Sequence, residues 1–297
     1  MQQRIDKPMI GRAKLQKTQL KRKGLITLVL LLCCLNGQSF AGTLLDKCYR
    51  QPSLVPPPFS PTRTLYVFID QTTNLNQNMK DSITNLVTQW GSQGENVKIT
   101  RFSANIKGQY SELVFDEVGN NQPSEAYLFH IRPGPKRRLL KCLRERDKLF
   151  DQKLKKALDK TLKLTNDKLP KTNLLHALKD FARQIVKDDK TKDKTVLLVS
   201  DGLENSNLLS FHQRGRIRII NSRRALQQAR RNKLIPKWNQ ATVYMLGLGH
   251  ISDKNFYASP RVINPLKTFW KNYFKEGDAI VHPYSLGTPM ILRKSLL

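Results

Sequence analysis

Five oxygen-bearing side chains in three short stretches could hold a hard cation. They are Asp70, Thr72 and Asn74 in the first, Thr172 in the second and Asp201 in the third. Residues 65–74 read LYVFIDQTTN and residues 195–202 read TVLLVSDG. Each is an apolar run that ends in an aspartate. Mg2+ takes oxygen ligands in a near-octahedral shell and keeps several waters. Two carboxylates with two or three neutral oxygens leave such an ion under-neutralised and one position open, which a carboxylate from another protein could fill. Asp70 and Asp201 supply charge, and Thr72 and Thr172 direct hydroxyl ligands. The alternative is that the aspartates only cap the turns that follow them, and that Thr172 is only a helix N-cap.

These residues can meet only if the fold brings three distant pieces of chain to one edge. Six runs read as strands: 65–69, 96–103, 112–118, 195–200, 241–248 and 278–283. The first, fourth and fifth are nearly continuous in apolar residues, as strands buried on both faces are. Helical spacing marks 76–91, a long basic stretch from Pro135 to about Leu164, then 172–187, about 221–234 and about 262–275. Strands alternating with helices predict an α/β fold: an open, doubly wound, mostly parallel six-stranded sheet with helices on both faces. The short link between 96–103 and 112–118 predicts a hairpin and one antiparallel edge strand. In such sheets ligands bind beyond the carboxyl ends of strands, where the strand order reverses. The segment 203–211 is expected to form a helix packed on the sheet, with an apolar rim beside the metal as the alternative.

Asp70-Gln71-Thr72-Thr73-Asn74 resembles the Asp-x-Ser-x-Ser motif of von Willebrand factor A (VWA) domains. Thr172-Asn173-Leu174 with Ala177-Leu178 resembles that family's Thr-Asn-Leu-x-x-Ala-Leu segment, and Ser200-Asp201-Gly202 its Thr/Ser-Asp-Gly motif. The resemblance runs from about residue 64 to 283. It implies the VWA variant of a Rossmann-like sheet, and a metal-ion-dependent adhesion site at Asp70, Thr72, Asn74, Thr172 and Asp201. The expected ion is Mg2+, with Mn2+ or Ca2+ as alternatives. The expected partner is a protein that supplies an acidic residue. Thr72 keeps the hydroxyl of the serine it replaces. Asn74 also replaces a serine, and its amide oxygen reaches roughly 1–1.5 Å further on standard bond lengths. The loop must shift to admit it, or Asn74 stands behind the residues that touch the ion.

Residues 1–41 read as a signal peptide. Eight Lys/Arg and one Asp precede an apolar run at 25–35, and small residues follow at Ser39 and Ala41. Retention of residues 24–41 as an inner-membrane anchor is the alternative. A Pro-rich segment (42–63) and a VWA-like domain (64–285) carrying a basic helical insertion at about 135–164 follow, then a tail (286–297). Export to the periplasm or envelope fits the cysteines, because Cys48 and Cys142 are the pair left outside the leader and a disulfide is expected between them.

The chain carries a net charge of +29; without the leader 44 basic and 22 acidic residues leave +22. Such a field favours anionic partners. Arg137, Arg138 and Lys141 on the long helix, with Arg223 and Arg224 further on, are the candidate anion contacts. They underlie the alternative function, a polyanion-binding envelope protein that meets anionic lipid, lipopolysaccharide or non-specific DNA with a degenerate metal site.

No Walker A sequence, Gly-x-Gly-x-x-Gly or His-Glu-x-x-His occurs, and the five histidines show no ligand spacing. A haloacid dehalogenase-type phosphatase needs a second aspartate where Thr72 stands. The VWA resemblance together with the leader implies a non-enzymatic, metal-dependent protein-binding module, without a small-molecule substrate, in a surface or conjugative-transfer assembly.

Overall fold

The computed structural model describes residues 44–50, 54–55, 61–103, 111–119, 122–165, 172–187, 189–213, 216–251 and 256–287. The expected signal peptide, most of the Pro-rich segment and most of the C-terminal tail lie outside the described residues, which all belong to one compact unit, Leu44–Leu297. Among the described residues no helix is long and apolar enough to cross a membrane.

Six strands build one sheet: β1 (Arg63–Asp70), β2 (Asn96–Phe102), β3 (Ser111–Val118), β4 (Asp193–Val199), β5 (Thr242–Leu246) and β6 (Leu286–Gly287). Their spatial order is β3-β2-β1-β4-β5-β6. All neighbours are parallel except β2 and β3, the expected antiparallel edge pair. This is the doubly wound order, and it reverses between β1 and β4.

The apolar runs explain why those two strands sit at the centre. Leu65, Val67 and Ile69 of β1 and Leu197 and Val199 of β4 face one layer; Tyr66, Phe68, Val196 and Leu198 face the other. Only a strand covered on both sides can bury every residue in this way. One layer is α2 (Gln77–Gly91) with α4 (Pro133–Lys163). The other is α5 (Leu174–Phe181), α6 (Ser222–Arg231) and α7 (Pro260–Glu276). Phe68 stacks between Phe102 and Phe181, with ring centroids 4.5 and 4.3 Å away. Each fully buried ring of this kind stabilises by roughly 1.5–3 kcal/mol.

A third small core joins α1 (Leu44–Tyr49), a short helix α3 (Glu125–Phe129) and the start of α4, around Cys48, Tyr49, Leu139 and Leu143. Cys48 and Cys142 form a disulfide there, with Cα atoms 5.6 Å apart.

Three expectations are corrected. The run 278–283 is not a strand: Ile280 makes a single parallel bridge to Thr242, and pairing resumes only at β6. Pro283 has no N–H, and the chain turns there, with the His282 N–H donating to Ser285 Oγ at 2.8 Å. Residues 203–211 are not a helix but an irregular loop closed by an Asn205–Ser210 bridge. Its polar residues bond one another, Ser210 Oγ donating to Asn205 Oδ1 at 3.1 Å, which competes with helical pairing. The helix expected over 172–187 starts at Leu174 and passes into a π-helical turn at Ala182–Val186, and Asn173, not Thr172, holds its N-cap position.

Candidate metal centre

Asp70 is the last residue of β1 and is fully buried. Its Oδ1 accepts from the Thr72 N–H at 2.9 Å and the Thr72 hydroxyl at 2.5 Å. Its Oδ2 accepts from the Ser200 hydroxyl at 2.8 Å. Adjacent parallel strands with the switch point between them place Ser200 beside Asp70, although 130 residues of chain separate the two.

Thr172 meets the same cluster. Its hydroxyl is buried and lies 2.5 Å from that of Thr72. Two contacts from the loop after β4 hold it there. The Asn205 N–H donates to the Thr172 carbonyl at 2.8 Å, and Glu204 Oε2 accepts from the Leu175 N–H at 2.8 Å. Asn173 makes no side-chain cap, so the N-terminus of α5 is capped by a carboxylate from 29 residues further on. A carboxylate there meets both the orphan N–H groups and the positive end of the helix dipole.

Asp201, half-buried, lies two residues beyond β4. Its carboxylate accepts from the Leu203 N–H at 2.9 Å. Its backbone is pinned on both sides: its N–H donates to Thr73 Oγ1 at 3.2 Å, and its carbonyl accepts from the Gly249 N–H at 2.8 Å. Gly202 has φ +72, and a Cβ there would come within 2.4 Å of Leu248 and 2.7 Å of Met245. Only glycine fits this turn, which directly follows Asp201, and Asp201 lies near enough to Asp70 to feel its charge.

Charge dominates the electrostatics. Burial raises the pKa of Asp70, and its hydroxyl and amide donors oppose that rise. Asp201 is raised further, first by burial and then by repulsion from Asp70, with only the Leu203 N–H to offset it. No ion pair reaches either carboxylate among the described residues. The acidic pair therefore has no cation of its own among the described residues of this strongly basic chain. A proton held on Asp201, or a bound cation, relieves such a pair.

The donor set suits a hard divalent ion. Asp70, Asp201, Thr72, Thr172 and Ser200 offer oxygen only, which matches Mg2+, Mn2+ or Ca2+ rather than softer metals. Among the described residues no group of three or more His, Cys, Asp and Glu forms a metal cluster. The arrangement instead pairs two carboxylates with hydroxyls.

Asn74 follows on the same loop. It is exposed, and its backbone carbonyl meets the imidazole of His250. His250 is buried, which lowers its pKa, and the bond to Asn74 opposes that shift. Sequence reasoning assigned no role to Ser200, Glu204 or His250. Ser200 stood inside a recognised motif, whereas nothing in local spacing marked Glu204 as the cap of a helix that begins 30 residues earlier.

The candidate anion contacts do not converge. Arg137, Arg138 and Lys141 are exposed on the first turns of α4, whereas Arg223 and Arg224 are exposed on α6. These helices cover opposite faces of the sheet, because their apolar stripes pack on opposite sides of the alternating strands.

No protein-family model matches the chain, and no curated protein matches it in sequence. Several solved structures are similar over most of its length. The pilus adhesin SpaC from Lactobacillus rhamnosus GG is 12% identical over 80% of this chain and 29% of its own, with a TM-score of 0.40. Proximal thread matrix protein 1 from the mussel byssus, in a form described as having a zinc-occupied MIDAS motif, is 13% identical over 80% and 46%, at 0.37. A von Willebrand factor type A protein from Catenulispora acidiphila is 10% identical over 80% and 41%, at 0.38. This chain spans less than half the length of each. Likeness at this level assigns neither family nor activity.

Proposed function

We propose that this chain is a VWA-type, non-enzymatic module that binds a divalent cation at Asp70, Asp201, Thr72 and Thr172 and uses it to grip an acidic residue of a protein partner. One observation carries this reading: a fully buried and a half-buried carboxylate lie with three hydroxyls at the sheet's switch point, and among the described residues no cation pairs with either. A bound ion supplies the missing positive charge and an open coordination position. The chain's own residues do the rest. Ser200 and the Thr72 amide fix Asp70, Gly202 and Gly249 aim Asp201, and Glu204 holds Thr172 in place. Asn74 lies outside the direct ligands in this reading and closes the rim with His250. Mg2+ is the preferred ion, with Mn2+ or Ca2+ able to use the same oxygens.

The module works outside the cytoplasm, in the periplasm or envelope, as part of a surface or conjugative-transfer assembly. The Cys48–Cys142 disulfide supports an oxidising compartment.

The test is capture of partners from an envelope extract by the full chain, with Mg2+ and with chelator, alongside Mg2+ titration followed by thermal unfolding. Wild type gains stability with Mg2+ and captures a partner only in its presence; Asp70→Asn and Asp201→Asn lose both responses yet stay folded. Equal capture in chelator by wild type and both variants overturns the proposal.

A further inference from the structure

A cleft of about 310 Å³ lies between residues 208–211 and the start of α6. Its apolar wall includes Leu208, Phe211 and Ile220, and its polar wall includes Arg218, Asn221 and Arg224. Phe211 is fully buried beneath it, whereas Leu208 is 40% exposed at its lip. No acidic side chain lines it. Among the described residues neither the Arg218 nor the Arg224 guanidinium has an ion-pair or hydrogen-bond partner, in contrast to Arg230 on the same helix, which pairs with Glu276 at 2.6 Å.

The position of the cleft follows from topology. The loop that lines it leaves the carboxyl end of β4 just after Asp201 and leads into α6. This helix returns the chain to β5, which is parallel to β4, so it begins at the sheet edge that carries Asp70 and Asp201. Two free guanidinium forks beside an apolar wall match a carboxylate that carries an apolar neighbour. A protein partner seated on the metal centre would cover this loop as well.

We infer that the Arg218/Arg224 cleft is a second contact for the same partner, receiving an acidic side chain and an adjoining apolar one. The inference rests on reading the Asp70/Asp201 centre as a protein-binding site.

The probes are a blocked Gly-Glu-Leu-Gly peptide and its Gly-Gln-Leu-Gly counterpart, titrated by NMR into the full chain at low salt. Arg218→Ala/Arg224→Ala is expected to weaken binding of the Glu peptide about tenfold, the scale of losing charge-assisted hydrogen bonds. Arg218→Lys/Arg224→Lys, which keeps charge without the fork, falls between. The Gln peptide binds about tenfold more weakly than the Glu peptide at the wild-type cleft. The titrations are run in EDTA, which keeps the metal centre from gripping the Glu side chain, and a failure of the metal reading is seen separately through the absence of any Mg2+ response in wild type. The inference is overturned if the Glu peptide does not bind, or if either the alanine pair or the Gln peptide matches its reference. It is also overturned if inorganic phosphate or phosphatidylglycerol vesicles, and not the peptide, depend on Arg218 and Arg224.

Discussion

Ser200 joins the tips of β1 and β4: its hydroxyl donates to Asp70 Oδ2 at 2.8 Å and accepts from the Gly202 N–H at 3.1 Å. One serine thereby orients the fully buried carboxylate and ties down the turn that presents the second. The acidic pair is held close by the fold, so its repulsion is built in and waits for a counter-charge.

That repulsion gives a pH signature. Asp201 is an acid whose pKa in the fold lies well above its ordinary value. Below the ordinary value it is protonated whether folded or not, and burial of its charge costs nothing. As pH rises from there through the raised value, the folded state alone resists ionisation and stability falls. The metal-free protein should therefore lose stability between acid and neutral pH. Saturating Mg2+ should reduce that slope, and Asp201→Asn should reduce it in the absence of metal, leaving the part that Asp70 and Glu204 contribute. Urea midpoints across pH, in chelator and in Mg2+, read this directly. A wild-type slope indifferent to Mg2+ contradicts it.

Glu204 is a third raised carboxyl beside the pair, with repulsion from Asp70 the smallest of its causes. Burial pushes its pKa up to about 7, against the opposing pull of Ser206 and of the backbone N–H groups of Leu175 and Leu174. Its charged form burdens the fold above that value and not below its ordinary one. Glu204→Gln keeps an oxygen for the Leu175 N–H and sheds the charge, so it should match or exceed wild-type stability at pH 8. Glu204→Ala strands buried N–H groups and should cost about 1–3 kcal/mol. Unfolding of both variants at pH 8 tests the order; Gln as damaging as Ala would show that the charge itself is required.

The disulfide should matter most to the small outer core. Cys48 and Cys142 close a loop of 94 residues, worth about 4–5 kcal/mol in the chain-entropy model. Reduction, or Cys48→Ser with Cys142→Ser, should lower the unfolding midpoint. It should also expose the α1 and α3 region to protease before the sheet. Simultaneous cleavage throughout the domain would contradict this.

The central sheet was readable from local pattern. Leu65–Ile69 and Val196–Val199 are apolar at every position, and burial on both faces is the only arrangement that satisfies such runs. The hairpin of β2 and β3 followed from a short link. Less legible was the last strand: 278–283 read as a strand, but only Ile280 pairs, and the chain turns at Pro283 before pairing resumes at β6. The loop at 203–211 misled for a related reason. Leu203 and Phe211 are buried as helix residues would be, but they enter the core from a turn held by Asn205 and Ser210.

The residue types and their order along the chain determined by themselves that Asp70 ends one central strand, that Asp201 closely follows another, and that hydroxyl oxygens lie nearby in sequence. That information is local, because burial pattern and turn chemistry act over a few residues. Tertiary structure alone decided that β1 and β4 are neighbours, that Ser200 bonds Asp70, that Glu204 caps the helix behind Thr172, and that the basic clusters part to opposite faces. Those facts depend on contacts between segments far apart in the chain, made only once the strands have paired and the helices have packed against them.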